Sequence, residues 1–418
     1  MAVTSTEAEA SRASAWVLPA PPRQSMPALH GLRGLAALAV AASHVAALTT
    51  LSSQPGWLAV WLTPTGLTAV VLFFLLSGFL VLGPLLRAHQ EGRPRPSVLR
   101  FVAQRALRVY PTYWFILVAA VLVFEVDRFD AGEWPLMLSL AYVLRDGMFP
   151  RGLFVAWTLA VEMVFYVVGP LVVGAMYLVA GPGRSVAARR RVQGLVLCLA
   201  PVVLVGVSIA SRLVSDDEGS FAAAVAASTP LVVTSLIVGC AGAYALNRGR
   251  PPAAIVDLAR RPWLCVLLAF GLYWLVTLLD LPLGLVGVAP AKGADWYTFL
   301  SIAFSLVLVL PAVLDRRGTS AYHRFLGSAP LRWLGELSYG IYLWHMPVLG
   351  LLARRFAIQG RTSAHIPALL GTLALSLMMA VLSYVLVEQP VRRLSKRMVG
   401  SMSAVARRAP GPAVADAR

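Results

Sequence analysis

The chain has 418 residues, 58% of them hydrophobic and only 13% charged, with a mean hydropathy of +0.74. Soluble domains carry about a quarter charged residues, so this balance excludes an ordinary water-soluble globule and predicts an all-α, polytopic bundle within a lipid bilayer. A net charge of +17 would suit a nucleic-acid binder, but the basic residues gather in particular loops, as a membrane-orientation signal does, and no nucleic-acid partner is expected.

Residues 1–27, rich in Ser, Ala and Pro without an apolar period, are expected to form a disordered cytoplasmic segment. About 20 apolar residues cross a hydrocarbon core of roughly 30 Å. Ten such stretches follow, at 30–51, 66–86, 110–126, 153–180, 194–213, 222–246, 263–281, 296–314, 331–353 and 366–388, the third of them short. The apolar piece 134–144 is too short to cross and is expected at the interface or as a re-entrant turn. The domain ends near residue 393, and the basic remainder, 394–418, is expected to be a disordered tail. Cys198, Cys240 and Cys265 lie in apolar runs without metal-ligand spacing and read as small core residues.

With the N-terminus in the cytoplasm, 27 of the 36 Lys and Arg residues fall in inside segments, 8 fall outside, and Arg33 lies within the first span. This asymmetry predicts about ten helices with both termini cytoplasmic, in the inner (plasma) membrane. Arg354, Arg355 and Arg361 fit least, because they land outside. A cleaved signal peptide is not expected at the first apolar run, which lacks an A-x-A site. No internal repeat of the transporter kind is visible.

The first span, "HGLRGLAALAVAASHV", holds Arg33 and His44 among apolar residues. Eleven positions at 100° each bring the two within about 20° of one direction and about 16 Å apart along the axis. Ionisable groups inside a membrane usually face a partner or cavity, and an imidazole can take and return a hydroxyl proton. Snorkelling of Arg33 and a structural hydrogen bond for His44 are the plainer reading.

Six segments then appear in order: "LHGLRGLAALAVAASHV", "FFLLSGFLV", "RALRVYPTYW", "WTLAVEMVFY", "LSYGIYLWHMPV" and "VEQPVRR". Together they resemble the acyltransferase 3 family of integral-membrane acyltransferases, over residues 28–393. The resemblance implies transfer of an acyl group, commonly acetyl from acetyl-CoA, to a hydroxyl on a glycan, a lipid or a glycosylated metabolite. It implies that His44 is the essential histidine, Arg33 its arginine partner, and Arg105 and Arg108 the R-x-x-R pair associated with the donor, with Tyr110 beside them. Glu162 matches the first glutamate of the fourth-helix motif; Met163 replaces the second, and Thr158 replaces the motif's serine. Some members carry an appended soluble hydrolase-like domain; none is expected in these 418 residues, so any second catalytic step is expected in another protein.

The chemistry is consistent with those assignments. Acyl transfer needs a base for the attacking hydroxyl and donors for the developing oxyanion. Acyl-CoA, a co-substrate and not a permanently bound cofactor, carries several phosphate charges, and the six arginines from Arg87 to Arg108 make a basic, cytoplasmic dock. Glu162 is expected to pair with His44 or Arg33, and could orient the imidazole as the acid of a triad does. Ser77 reads as a packing or acceptor-side residue. His345 lines the acceptor entrance or sits in an aromatic belt with Tyr342 and Trp344, while Arg392 and Arg393 read as positive-inside anchors. No metal site is expected. The competing class is a proton-coupled transporter or flippase with Arg33, His44 and Glu162 as a relay.

Overall fold

The computed structural model describes residues 26–50, 61–125, 128–145, 148, 150, 152–214, 233–245, 252–278, 294–315 and 318–395. Residues 1–25 and 396–418 of the expected terminal segments, and residues 222–232 of the expected sixth span, lie outside these. Every element among the described residues is helical. In chain order, α1 is Pro27–Thr50. α2 (Thr65–Ser77) runs through a π-helical turn, Gly78–Leu82, into α3 (Gly83–Gln90). α4 is Val98–Leu122 and α5 the short Trp134–Ser139. α6 is Trp157–Val179, α7 Val186–Val214, α8 Val233–Ala245, and α9 and α10 are Ala253–Ala259 and Pro262–Leu278. α11 is Ala294–Leu314, α12 Ala321–Leu326 and α13 Ala329–Phe356. α14, His365–Ser383, continues through a second π-helical turn, Tyr384–Glu388.

Seven of these helical stretches are long and apolar enough to cross a membrane, or eight if α9 and α10, bent by 93° at their break, make one span. The chain is thus a multi-pass helical membrane protein. The 28-residue α13 is not among the seven although it coincides with the ninth expected span. It sits at the centre, packed most extensively on α1 and then on α14, and it is rich in Gly, Ser, Tyr, Trp and His. A helix wrapped by protein on nearly every side has no lipid to satisfy and can carry polar groups that meet partners.

The structure refines the sequence expectations at three places. The third span is not short: α4 starts at Val98, capped by the Ser97 hydroxyl, which accepts from the Arg100 amide, so Arg105 and Arg108 lie on the helix itself. The segment 134–144 is the short α5 followed by a 3-10 turn, joined through Leu140 at φ 65°, and is fastened to α4 by hydrogen bonds from Tyr113 to the Met137 carbonyl (2.7 Å) and from the Trp114 indole to the Leu138 carbonyl (2.9 Å). Cys240 and Cys265 are buried as expected, but Cys198 is exposed on α7, the span with the smallest buried share, whose outer face presents Leu195, Leu199 and Val202. The arginine at 354 has a local reason to be where it is. Its guanidinium donates to the Phe124 and Glu125 carbonyls just beyond the end of α4, where a cation also lies near the negative end of the helix dipole.

Close approach of α1 and α13 sets the register of the core. A Cβ on Gly335 would lie 2.2 Å from the His30 carbonyl oxygen, and one on Gly34 would lie 2.9 Å from the Gly335 nitrogen, so the two backbones touch directly. α2 and α8 repeat this at Gly78, whose Cβ would stand 1.9 Å from the Leu236 oxygen. The π turn beginning there leaves the Gly78 carbonyl to accept from the buried Cys240 thiol at 3.5 Å.

Gly335→Ala should therefore lower the apparent unfolding temperature of the detergent-solubilised protein, at a cost of about 1–3 kcal/mol or more. Gly271→Ala in α10, where no atom lies within 4 Å of the added Cβ, should be neutral or stabilising by about 0.5–1 kcal/mol. Fluorescence-detected size-exclusion chromatography after a heat step measures both.

Candidate active site

Three helices bring Arg33, Ser77 and Glu162 around one cavity of about 70 Å³. Arg33 comes from α1, Ser77 from the end of α2 and Glu162 from the second turn of α6, with Thr158, Tyr339 and Tyr342 completing the polar wall and Phe73 and Phe74 the apolar one. Glu162 Oε1 accepts from the Ser77 hydroxyl at 3.1 Å and from the Tyr166 hydroxyl one helical turn on. Arg33 lies across the cavity within electrostatic range of Glu162 and of Arg108. A half-buried carboxylate thus has two hydroxyl donors and a facing guanidinium, which offsets a desolvation that would otherwise cost several kcal/mol.

Of the residues expected together, the structure unites Arg33, Glu162, Ser77 and Arg105. The Arg105 guanidinium stands 5.5 Å from the Phe101 ring centre and 5.6 Å from that of Tyr166, so Tyr166 joins Arg105 to Glu162. Arg108 is exposed at the same end of the bundle. Tyr110 is not in this group; its ring packs on Trp114 (centroids 5.4 Å apart) and its hydroxyl reaches the Ser139 carbonyl at 3.4 Å, because two residues along a helix turn a side chain through about 200°.

His44 is one layer deeper. Its Nδ1 lies 2.9 Å from the Val40 carbonyl oxygen and 3.2 Å from His345 Nε2, and its ring meets the edge of Phe154 at 5.4 Å. Glu162 is not its partner, since both oxygen contacts of that carboxylate run to Ser77 and Tyr166. Arg33, His44 and Glu162 accordingly form no continuous hydrogen-bonded chain. His345 corrects a second expectation: it is 0% exposed and so lines no open entrance, because α13 runs through the interior and turns this residue onto α1. Tyr342 connects the two layers. It lines the cavity, its hydroxyl bonds Thr158 (2.9 Å) and the Val155 carbonyl (3.0 Å), and its ring is 5.8 Å from that of His345. The Thr158 hydroxyl, in place of the serine expected of the motif, makes this contact, while Met163 packs against the apolar core.

Sequence reasoning missed a buried ion-pair group at the same end. Arg392 bonds Glu336 at 2.9 Å and Glu388 at 3.2 Å, both carboxylates being under a tenth exposed, and His30 Nδ1 approaches Glu336 at 3.9 Å. Arg392 is therefore a clasp between α13 and α14 and not merely an anchor, whereas Arg393 reaches only Gln389 at the surface. The i,i+4 spacing of Glu388 and Arg392, and of Glu162 and Tyr166, was the available signal.

A family model described as an acyltransferase domain matches residues 26–388. The chain belongs to the acyltransferase 3 family. It is 23% identical over 387 residues to O-acetyltransferase OatA of Staphylococcus aureus, covering 88% of this chain and 57% of that protein. It is 25% identical over 399 residues to peptidoglycan O-acetyltransferase OatA of Listeria monocytogenes, covering 89% and 56%. YrhL of Bacillus subtilis is 28% identical over 392 residues, covering 88% and 55%. The chain thus spans little more than half the length of these curated relatives.

Removing the clasp tests its energetic role. Arg392→Ala leaves two buried carboxylates side by side and should cost about 2 kcal/mol or more, a loss that Glu336→Gln in the same chain partly recovers. Arg393→Ala should change stability by less than about 0.5 kcal/mol. Thermal unfolding in detergent separates the three.

Proposed function

We propose that this chain is a membrane O-acyltransferase that moves an acyl group, in the first instance acetyl, from acyl-CoA to a hydroxyl of a glycan, a glycolipid or a sugar-bearing metabolite. The observation that carries the reading is the cavity shared by Arg33, Ser77 and Glu162, which Tyr342 on its wall and then His345 connect to His44. Family membership and the peptidoglycan O-acetyltransferase named among the relatives support a glycan acceptor.

The arginine-bearing end, where Arg105 and Arg108 of α4 and Arg33 of α1 converge, faces the cytoplasm of the cell that makes the donor. Arg105 and Arg108, three apart on one helix face, grip donor phosphates, and Arg33 lies further along the path of the pantetheine arm. A cavity of about 70 Å³ has room for a few water-sized groups, about the bulk of an acetyl thioester, and not for the nucleotide.

The tautomer of His44 suits a base. A carbonyl only accepts, so the contact with Val40 places a hydrogen on Nδ1 and leaves the lone pair on Nε2. Nε2 takes the hydroxyl proton as the acceptor oxygen attacks the thioester carbonyl. The tetrahedral intermediate then collapses with cleavage of the carbon–sulfur bond, and the imidazolium returns its proton to the departing thiolate. The placement of Glu162 on Ser77 and Tyr166, away from His44, favours transfer over a proton relay for transport.

Membranes carrying the full chain, incubated with labelled acetyl-CoA and soluble peptidoglycan fragments, should release CoA and acylate the fragments. His44→Ala should abolish both at unchanged protein abundance. Arg105→Ala should raise the donor KM about tenfold or more with a smaller effect on kcat; a loss confined to kcat would contradict phosphate docking. Acceptor movement without acyl consumption would favour the transporter.

A further inference from the structure

Among the described residues His345 is the one fully buried titratable side chain in contact with His44, and the acyl-transfer scheme above gives it no task. Its ring is 0% exposed, its centroid lies 5.1 Å from that of His44, and its Nε2 stands 3.2 Å from His44 Nδ1. Burying an imidazole in an apolar bundle is costly; Nδ1 of His345 meets no hydrogen-bond partner among the described residues, so the contact of Nε2 with His44 is the one hydrogen-bonding contact its ring makes.

We propose that His345 is the positioning residue for His44, accepting at Nε2 the hydrogen that His44 carries on Nδ1 and so filling the place a carboxylate holds in hydrolase triads. The proposal rests on the reading of His44 as the base. Two acceptors converge on that single hydrogen, the Val40 carbonyl from the same helix and His345 from α13. The first alone fixes the tautomer but leaves the ring able to rotate about its own helix. The second comes from the neighbouring helix and locks the plane of the ring against it. Once Nε2 has taken the hydroxyl proton, the imidazolium is charged in a low-dielectric surrounding, and both acceptors then strengthen toward the Nδ1 hydrogen. That hydrogen stays on His44; the proton gained at Nε2 leaves to the thiolate sulfur as the carbon–sulfur bond breaks. His345 gains and loses nothing, which is why it is a positioning and not a catalytic residue. Glu162 cannot take this part, because its carboxylate is held by Ser77 and Tyr166.

Two polar substitutions of similar burden on folding decide the matter. His345→Gln keeps a hydrogen-bond acceptor at the reach of Nε2, whereas His345→Asn has its polar group at the reach of Nδ1 and falls short of His44. CoA release from acetyl-CoA is measured in membranes carrying the full chain at matched abundance, with peptidoglycan fragments as the probe acceptor. The Asn variant should lose about 10- to 100-fold in kcat with donor and acceptor KM within about twofold, and the Gln variant should stay within about threefold of the native rate. Equal rates for the two variants, whether both low or both native, would overturn the proposal, as would a loss seen chiefly in acceptor KM. His44→Ala is run beside them. If it retains full activity the underlying reading fails, and if it is dead while His345→Asn is native only the inference drawn here fails.

Discussion

The structure turns on the requirement that the polar face of α1 be met by protein and not by lipid. Arg33 and His44 lie on a helix whose middle is otherwise almost entirely Ala, Leu, Val and Gly, and in hydrocarbon an ionisable group costs several kcal/mol. α13 meets this requirement. It crosses α1 at touching backbones through Gly34 and Gly335, and its own polar residues, Glu336, Ser338, Tyr342 and His345, then fall opposite those of α1. Two helices, each unsuited to lipid along one side, become each other's solvent.

Polarity is graded along this core. At one end the charges are dense and paired: His30 and Arg392 on Glu336, Arg392 on Glu388, and Arg105 stacked beside Tyr166. In the middle Glu162 is held by neutral hydroxyls and faced by Arg33. Deeper still only imidazoles and the hydroxyls of Tyr342 and Thr158 remain. This gradient suits the proposed donor, whose phosphates would stay near water while its uncharged thioester goes inward. Electrostatics alone, acting through desolvation, would orient such a molecule without a mobile gate. Both π-helical turns flank the charged end, one just after Ser77 and the other holding Tyr384 and Glu388, where a widened turn re-aims side chains that a regular helix would point elsewhere.

Much was legible before any coordinates. Hydropathy located α1, α2, α6, α11 and α14 closely, since a span of lipid imposes both length and composition on a helix. The shared face of Arg33 and His44 followed from 3.6 residues per turn, and six motifs in order identified the family, now matched over residues 26–388. Helical spacing is local, and so it could be read. The start of α4 could not, because the Arg-rich turns at 98–109 read as loop to a hydropathy scale and as helix only to a capping one, through Ser97.

By itself, the sequence determined the all-helical membrane class, the family, and that Arg33, His44 and Glu162 lie within its helices, since each of these depends on composition or on spacing along one helix. Only the tertiary structure decided who meets whom: that Glu162 belongs to Ser77 and Tyr166, that Arg392 closes on Glu336 from 56 residues away, and that His345 and not a carboxylate sits against His44. Such pairings depend on how two helices cross and rotate about their axes. Crossing is set by where glycines let backbones touch, a property of both surfaces at once that no single stretch of chain contains.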